Sequence, residues 1–187
     1  MKYLKRTLLI ALSLLLLTSC GAPKPSSVVD AKMKELKSHF AEVLSGEGSD
    51  LVGADRELYD EIVNAMKGFD YEIQEETVNG ENAEVKVKIT TYALGTSFAN
   101  AFTEYFNQAF ALALGGASEE QLQALLFQIW TQKIRDEVAK GKNYSTVVKL
   151  ALTKKDGNWV FVEDKPQELI NALTGNLLSI IETFSEQ

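Results

Sequence analysis

Few side chains in this sequence are equipped for chemistry. Among 187 residues there is one cysteine, Cys20, and one histidine, His39. A lone cysteine makes no intrachain disulfide and no Cys-rich zinc or iron–sulfur site. His39 lies beside Phe40, just off a helical apolar stripe of Leu36, Phe40 and Val43. No partner motif accompanies it as a general base would require, so a solvated or hydrogen-bonded residue at a helix boundary is expected. Glu75 and Glu163 continue the alternating runs Phe69/Tyr71/Ile73 and Trp159/Phe161. Aimed into an apolar cavity, either carboxyl would be pushed up by desolvation and become a candidate general base. Both are expected at strand ends in water, because unpaired carboxylates are seldom buried. No serine sits in a nucleophile elbow, Gly115-Gly116 lacks the Lys-Ser/Thr of a phosphate loop, and no acidic run has calcium-loop spacing. The expectation is therefore no catalytic residue, no cofactor and no metal. One further pattern stands out: Phe98, Phe102, Tyr105, Phe106 and Phe110 recur at helical spacing. Such a stripe ordinarily fills a core, here against residues 122–138 and a sheet; the alternative is a pocket lining for an apolar ligand or part of an exported peptide.

The position of Cys20 is more telling than its chemistry. Lys2, Lys5 and Arg6 form a basic head, residues 8–17 an apolar run broken by Ser13, and small residues follow at Thr18 and Ser19. That order describes an export signal. Ten apolar residues rise about 15 Å as a helix, half of a bilayer core, so a permanent transmembrane anchor is the weaker reading. Leu17-Thr18-Ser19-Cys20 resembles a bacterial lipobox. The resemblance implies cleavage before Cys20 and a diacylglyceryl group on its thiol, and two acyl chains suffice for stable anchoring. The expected organisation is a signal peptide at 1–19, a lipidated Cys and Pro/Ser/Gly tether at 20–27, and a single domain at 28–187, lipid-anchored on the extracytoplasmic face of the cell membrane. Losing residues 1–19 takes the formal charge from −7 to −10. Phosphates and anionic head groups repel such a surface, so membrane contact is expected through the lipid on Cys20 and nucleic acid is not expected as a partner.

The elements that would position these residues follow from periodicity. Val29, Met33, Leu36, Phe40 and Val43 step by four and three, predicting a first helix; Leu58, Ile62, Ala65 and Met66 predict a second. The period then drops to two through Phe69–Ile73 and Ala83–Ile89, with Asn79-Gly80 between them as a hairpin turn. Helical spacing returns over Thr96–Lys140 as a long hairpin broken at Gly115-Gly116, its second arm opened by Ser118 and Gln121 as a capping box. A second strand pair spans Tyr144–Thr153 and Asn158–Glu163 around Asp156-Gly157. Trp159-Val160-Phe161-Val162 is apolar on both faces, which predicts a central or covered strand. Pro166 begins a last helix through Leu169, Leu173, Leu177 and Ile181, weakened at Gly175 by up to about 1 kcal/mol. The order is α-α-β-β-α-α-β-β-α and the class α+β: a bent, mainly antiparallel four-stranded sheet packed with helices.

Two helices, a strand pair ending "VKITTYAL", a helical insertion and a second strand pair over about residues 30–165, together with the lipobox, resemble the Gram-positive lipoproteins of unknown function that carry a cystatin-like roll, within the nuclear-transport-factor-two-like superfamily. The resemblance implies a sheet wrapped around a helix as a cone, and a possible homodimer through the outer sheet face, where this chain has Glu84, Lys86 and Lys88. It implies no chemistry. The functional expectation is a binding or interaction module of the cell envelope, its partner an envelope protein or a small apolar ligand. The alternatives are a ligand-capturing lipoprotein feeding a transporter, for which the chain is short, and a small isomerase- or dehydratase-like enzyme using Glu75 or Glu163.

Overall fold

The computed structural model describes residues 23–46, 52–162 and 166–185, with residues 39–46, 166 and 185 described by backbone alone. Cys20, Glu163 and the His39 side chain lie outside the described residues. The expected α+β order is observed. Helices α1 (Pro25–Gly46) and α2 (Gly53–Lys67) precede β1 (Asp70–Asn79) and β2 (Asn82–Thr91). The helical hairpin α3 (Leu94–Leu114) and α4 (Glu119–Ala139) leads into β3 (Tyr144–Lys155) and β4 (Asn158–Phe161). The last helix is divided into α5 (Pro166–Leu173) and α6 (Leu177–Ser185). The sheet is open and antiparallel, in the order β1-β2-β3-β4.

Strict alternation gives this sheet one dry face. Ala83, Val85, Val87 and Ile89 of β2 are buried, while Glu84, Lys86 and Lys88 between them are partly exposed. Val29 and Met33 of α1 and Ala172 and Leu173 of α5 pack on the dry side with Phe69, Val148, Leu152 and Trp159. Full burial of side chains such as Val29 and Met33 contributes about 1.5–3 kcal/mol each. β4 is the outermost strand, not the central one its two apolar faces predict. It is four residues long and pairs only with Leu152–Lys155; Trp159 turns into the core, with the Lys154 ammonium 5.1 Å over its ring, and Val162 stays exposed beyond the strand.

A register shift between Ile73 and Glu75 decides where the acidic end of β1 points. Without it, Glu75 would follow Phe69, Tyr71 and Ile73 onto the dry face. With one extra residue accommodated at Gln74, Glu75 pairs opposite Lys86 on the outer face and Glu76 opposite Val85 on the dry side. There Glu76 Oε2 accepts the Ser26 backbone N–H at 2.8 Å. A carboxylate at the positive end of a helix satisfies one orphan donor. This contact, with Pro25 at the first helical position, explains why α1 begins at Pro25, inside the segment expected as tether. Asp30 fastens the next turn, accepting from Tyr71 Oη at 2.8 Å and Lys34 Nζ at 2.7 Å.

Three chain crossings between sheet and helical layer occur at one end of the sheet: Lys67 to Asp70, Thr91 to Leu94, and Ala139 to Tyr144. A second core hangs there, built from Leu58 and Ala65 of α2, Leu94 of α3, Ile134 of α4 and Leu177 of α6. Arg135 of α4 bridges Glu57 and Glu61 of α2, each at 2.7 Å. The two cores are joined by a close backbone approach. Gly95 N–H donates to Gly175 O at 3.0 Å. A Cβ on Gly175 would fall 2.0 Å from Tyr92 O, and one on Gly95 would fall 2.7 Å from Asn176 O. Gly175 (φ +60°) and Asn176 (φ +67°) are both left-handed, so the helix stops and restarts in a new direction. Asn171 receives the restart: its Oδ1 accepts Ser179 N–H at 3.0 Å, and its Nδ2 donates to Ser179 Oγ at 2.8 Å. Gly175 therefore breaks the last helix where sequence alone predicts only a weakening.

Gly175→Ala introduces both a left-handed alanine and a backbone clash, and should lower stability by at least about 3 kcal/mol, read from the urea midpoint. An unchanged midpoint would mean that the joint is not close-packed. Acid should also destabilise the fold. Lys34 holds the Asp30 carboxyl below its usual range, Lys142 that of Asp70, Lys86 that of Glu75, and Ser26, by its side chain first and then its amide, that of Glu76. Each group binds its proton more weakly folded than unfolded. Its contribution is thus fully present at neutral pH and is lost as pH falls from about 4 through the lower folded value. The urea midpoint should be flat near neutrality and drop below about pH 4.

Candidate functional site

The five aromatic residues of α3 divide into a covered and an uncovered set. Phe98 stacks at 6.0 Å on Phe102, meets Trp130 of α4 edge-on at 4.8 Å, and meets Phe184 of α6 at 5.8 Å. Phe102 touches Phe184 at 4.6 Å and Phe106 at 4.7 Å. Tyr105 reaches Phe106 at 6.0 Å. Outward from there the cover ends: Phe106 is 59%, Phe110 72% and Leu114 76% exposed. The reason is a mismatch of lengths. Twenty-one residues give α3 about 31 Å, whereas the nine of α6 give about 13 Å. Phe184 thus lies near the end of the cover, and the ladder of Phe102, Phe106, Phe110 and Leu114, spaced by four, runs past it.

The hairpin is nevertheless a built element. Ser118 Oγ accepts Gln121 N–H at 3.3 Å while Gln121 Oε1 accepts Ser118 N–H at 2.9 Å, and Glu119 and Glu120 occupy the positive first turn of α4. Ala117 N–H donates to Leu112 O at 3.0 Å, closing α3. From Ile89 to Gln132 the chain contains no Lys or Arg and three glutamates. Glu104 is turned to the opposite side of α3 from the ladder, where it pairs with Lys133.

Neither described cavity is lined by the five aromatic residues. A polar groove of about 630 Å³ lies between α3 and α4, lined by Ser97, Asn100, Glu104, Lys133 and Glu137. Glu137, buried in it, accepts from Lys140 Nζ at 2.9 Å and from Asn143 Nδ2, which ties the end of α4 to the approach of β3. A wider groove of about 1350 Å³ is lined from both faces of the sheet, by Met33, Leu150, Phe161 and Leu169 on the dry side and by Lys149 and the Lys86–Glu75 pair on the outer side. Glu75 is held charged by Lys86 at 2.6 Å on the outer face, which removes the raised pKa that a general base there would need. Among the described residues, no three His, Cys, Asp or Glu side chains converge as metal ligands. None of the described helices is long and apolar enough to cross a membrane. Two features escaped sequence reasoning. Glu137 interrupts an apolar face with a charge, a visible signal of a buried pair; the polar groove carries none, since its residues are ordinary helix-surface types.

The partition of the ladder is testable by stability. Phe98→Ala or Phe102→Ala should lower it by roughly 2–4 kcal/mol, and Phe106→Ser or Phe110→Ser by less than about 0.5 kcal/mol, in thermal or urea unfolding. Equal losses at all four positions would mean that the outer rings are also covered.

No family model matches the chain, and no curated protein matches it. Among solved structures, it is similar to a candidate lipoprotein (ycdA) from Bacillus subtilis subsp. subtilis str. 168, at 15% identity and a TM-score of 0.42. The alignment covers 80% of this chain and 47% of the other, so the chain spans about half the length of that protein. A likeness of this degree assigns neither family nor function.

Proposed function

We propose that this chain is a lipid-anchored, extracytoplasmic interaction module of the bacterial cell envelope, attached through Cys20 and presenting the outer half of α3 to a protein. This is the role expected of the cystatin-roll lipoproteins that the element order and the lipobox resemble. One observation carries it: a ladder of large apolar side chains, Phe106, Phe110 and Leu114, stands exposed on a well-capped hairpin. Single exposed apolar residues are ordinary, but a contiguous set marks an interaction surface.

Its placement supports a protein partner over the anchoring membrane. Ser26 is held beside Glu76 near the turn that joins β1 and β2, and the helical layer leaves from the other end of the sheet. Ten residues of β2 separate those ends by about 30 Å. An anchor at Cys20 is six residues from Ser26, at most about 20 Å of chain. The outer half of the hairpin also lacks the cations that hold an apolar surface on anionic lipid, since residues 89–132 contain no Lys or Arg. A second reading, capture of a small ligand, is favoured by the groove of about 1350 Å³ and its apolar residues Met33, Leu150 and Phe161.

One experiment in intact envelopes tests both halves of the proposal. A photo-crosslinking residue at Phe110 should give discrete protein adducts, and one at Lys88 on the outer sheet face should not. Cys20→Ala should move the protein from the membrane to the soluble fraction. Adducts confined to lipid-processing enzymes would remove the interaction role, and unchanged membrane fractionation of Cys20→Ala would remove the lipid anchor.

A further inference from the structure

We propose that the exposed ladder of α3 is a self-association surface, on which two copies of this chain pair side by side with Phe102, Phe106, Phe110 and Leu114 of each helix meeting their counterparts. The proposal rests on the interaction-module reading and names its partner as a second copy. The homodimer is thereby assigned to the hairpin, not to the charged outer sheet face.

Four observations carry it. The ladder residues are spaced by four, so they form one i±4 ridge along α3. Two such ridges interlock at about −50°, the commonest way helices pack, and a two-fold axis brings identical ridges together without further adaptation. Phe106, Phe110 and Leu114, at 59%, 72% and 76% exposure, supply about 400 Å² of apolar surface per copy as the centre of a contact. That is about half of the ~800 Å² per partner found in stable interfaces, and the partly covered Phe102 and exposed Ala113 extend the same face.

Charge permits self-pairing. The ridge carries no ionisable group, and Glu104 sits across the helix in its pair with Lys133. The remaining acids, Glu119 and Glu120, are at the hairpin tip, beyond the centre of contact. Location favours it as well. With the chain's beginning held at the far end of the sheet by Ser26 and Glu76, two copies whose α3 helices cross in the parallel sense, as counterpart-to-counterpart contact requires, keep both N-terminal ends on one side. Both lipids then reach one membrane, which raises the effective concentration of the ridges for each other.

Bifunctional thiol crosslinking of the full lipidated chain in native membranes tests the proposal. Acylation of Cys20 leaves an engineered cysteine as the only thiol. Ala113→Cys, beside the ridge, should give a homodimer with a short bis-maleimide; Ala111→Cys, at the same depth on another face, should not. In sedimentation of the purified lipidated protein in detergent, the double variant Phe106→Ser/Phe110→Ser should raise the dimer dissociation constant at least ~30-fold. Its circular dichroism should stay unchanged, and so should its unfolding midpoint at a dilution where both proteins are monomeric, which excludes misfolding as the cause. A monomer at every accessible concentration, equal crosslinking at 111 and 113, or a dimer indifferent to the double variant would each overturn the proposal. So would ridge adducts to a different envelope protein or to lipid in place of a second copy. The different-protein result would leave the interaction-module reading standing, whereas no protein adduct of any kind would remove both.

Discussion

The molecule turns on a contact with no side chain in it. Gly95 and Gly175 bring two backbones to hydrogen-bond distance beside Tyr92, and at that point the sheet core and the helical core become one body. Any Cβ at Gly175 would occupy space already filled by the Tyr92 carbonyl. The left-handed residues there also redirect the chain, so that α5 closes the dry face of the sheet and α6 closes part of α3. One joint thus sets where both final helices go. It also sets how much of the aromatic ladder they leave uncovered, because α6 starts at the joint and is only nine residues long.

A smaller irregularity organises the other end. The bulge at Gln74 exchanges the roles of two adjacent glutamates: Glu75 goes to the outer face and its ion pair with Lys86, Glu76 to the first turn of α1. An alternating pattern that ran on without interruption would have put Glu75 opposite Val85 on the dry side, away from Lys86. The bulge therefore satisfies two groups at once, and it removes the one described carboxylate that sequence offered as a general base. It also places the beginning of the described chain at the end of the sheet remote from the hairpin, the geometry on which a membrane-distal binding surface depends.

The aromatic stripe is a core in one half and a surface in the other. Phe98 and Phe102 belong to a conventional aromatic cluster with Trp130 and Phe184. Phe106 and Phe110 continue its spacing into solvent. Keeping such rings exposed on a helix secured by a capping box works against solubility, and a partner that covers them resolves the conflict.

By itself the sequence determined the element types and their order, because the switch between periods of 3.6 and 2 is a local property of the chain. It also determined the turn positions to within a residue: Asp156 and Gly157 are both left-handed as that dipeptide requires, whereas at the first hairpin Gly80 alone is, and Asn79 pairs with Asn82. The residues that resemble an export signal and a lipobox are a matter of sequence alone, since they lie outside the described residues. Tertiary structure alone decided that β4 is an edge, that Gly175 breaks the last helix, that a bulge reassigns Glu75 and Glu76, and that the aromatic stripe is half uncovered. Each of these depends on what another segment places against the residue: the neighbouring strand that β4 does or does not have, the Tyr92 carbonyl beside Gly175, the Ser26 amide beside Glu76, the short reach of α6 along α3. Periodicity reports which face of an element is apolar; it holds no record of how far the covering element extends.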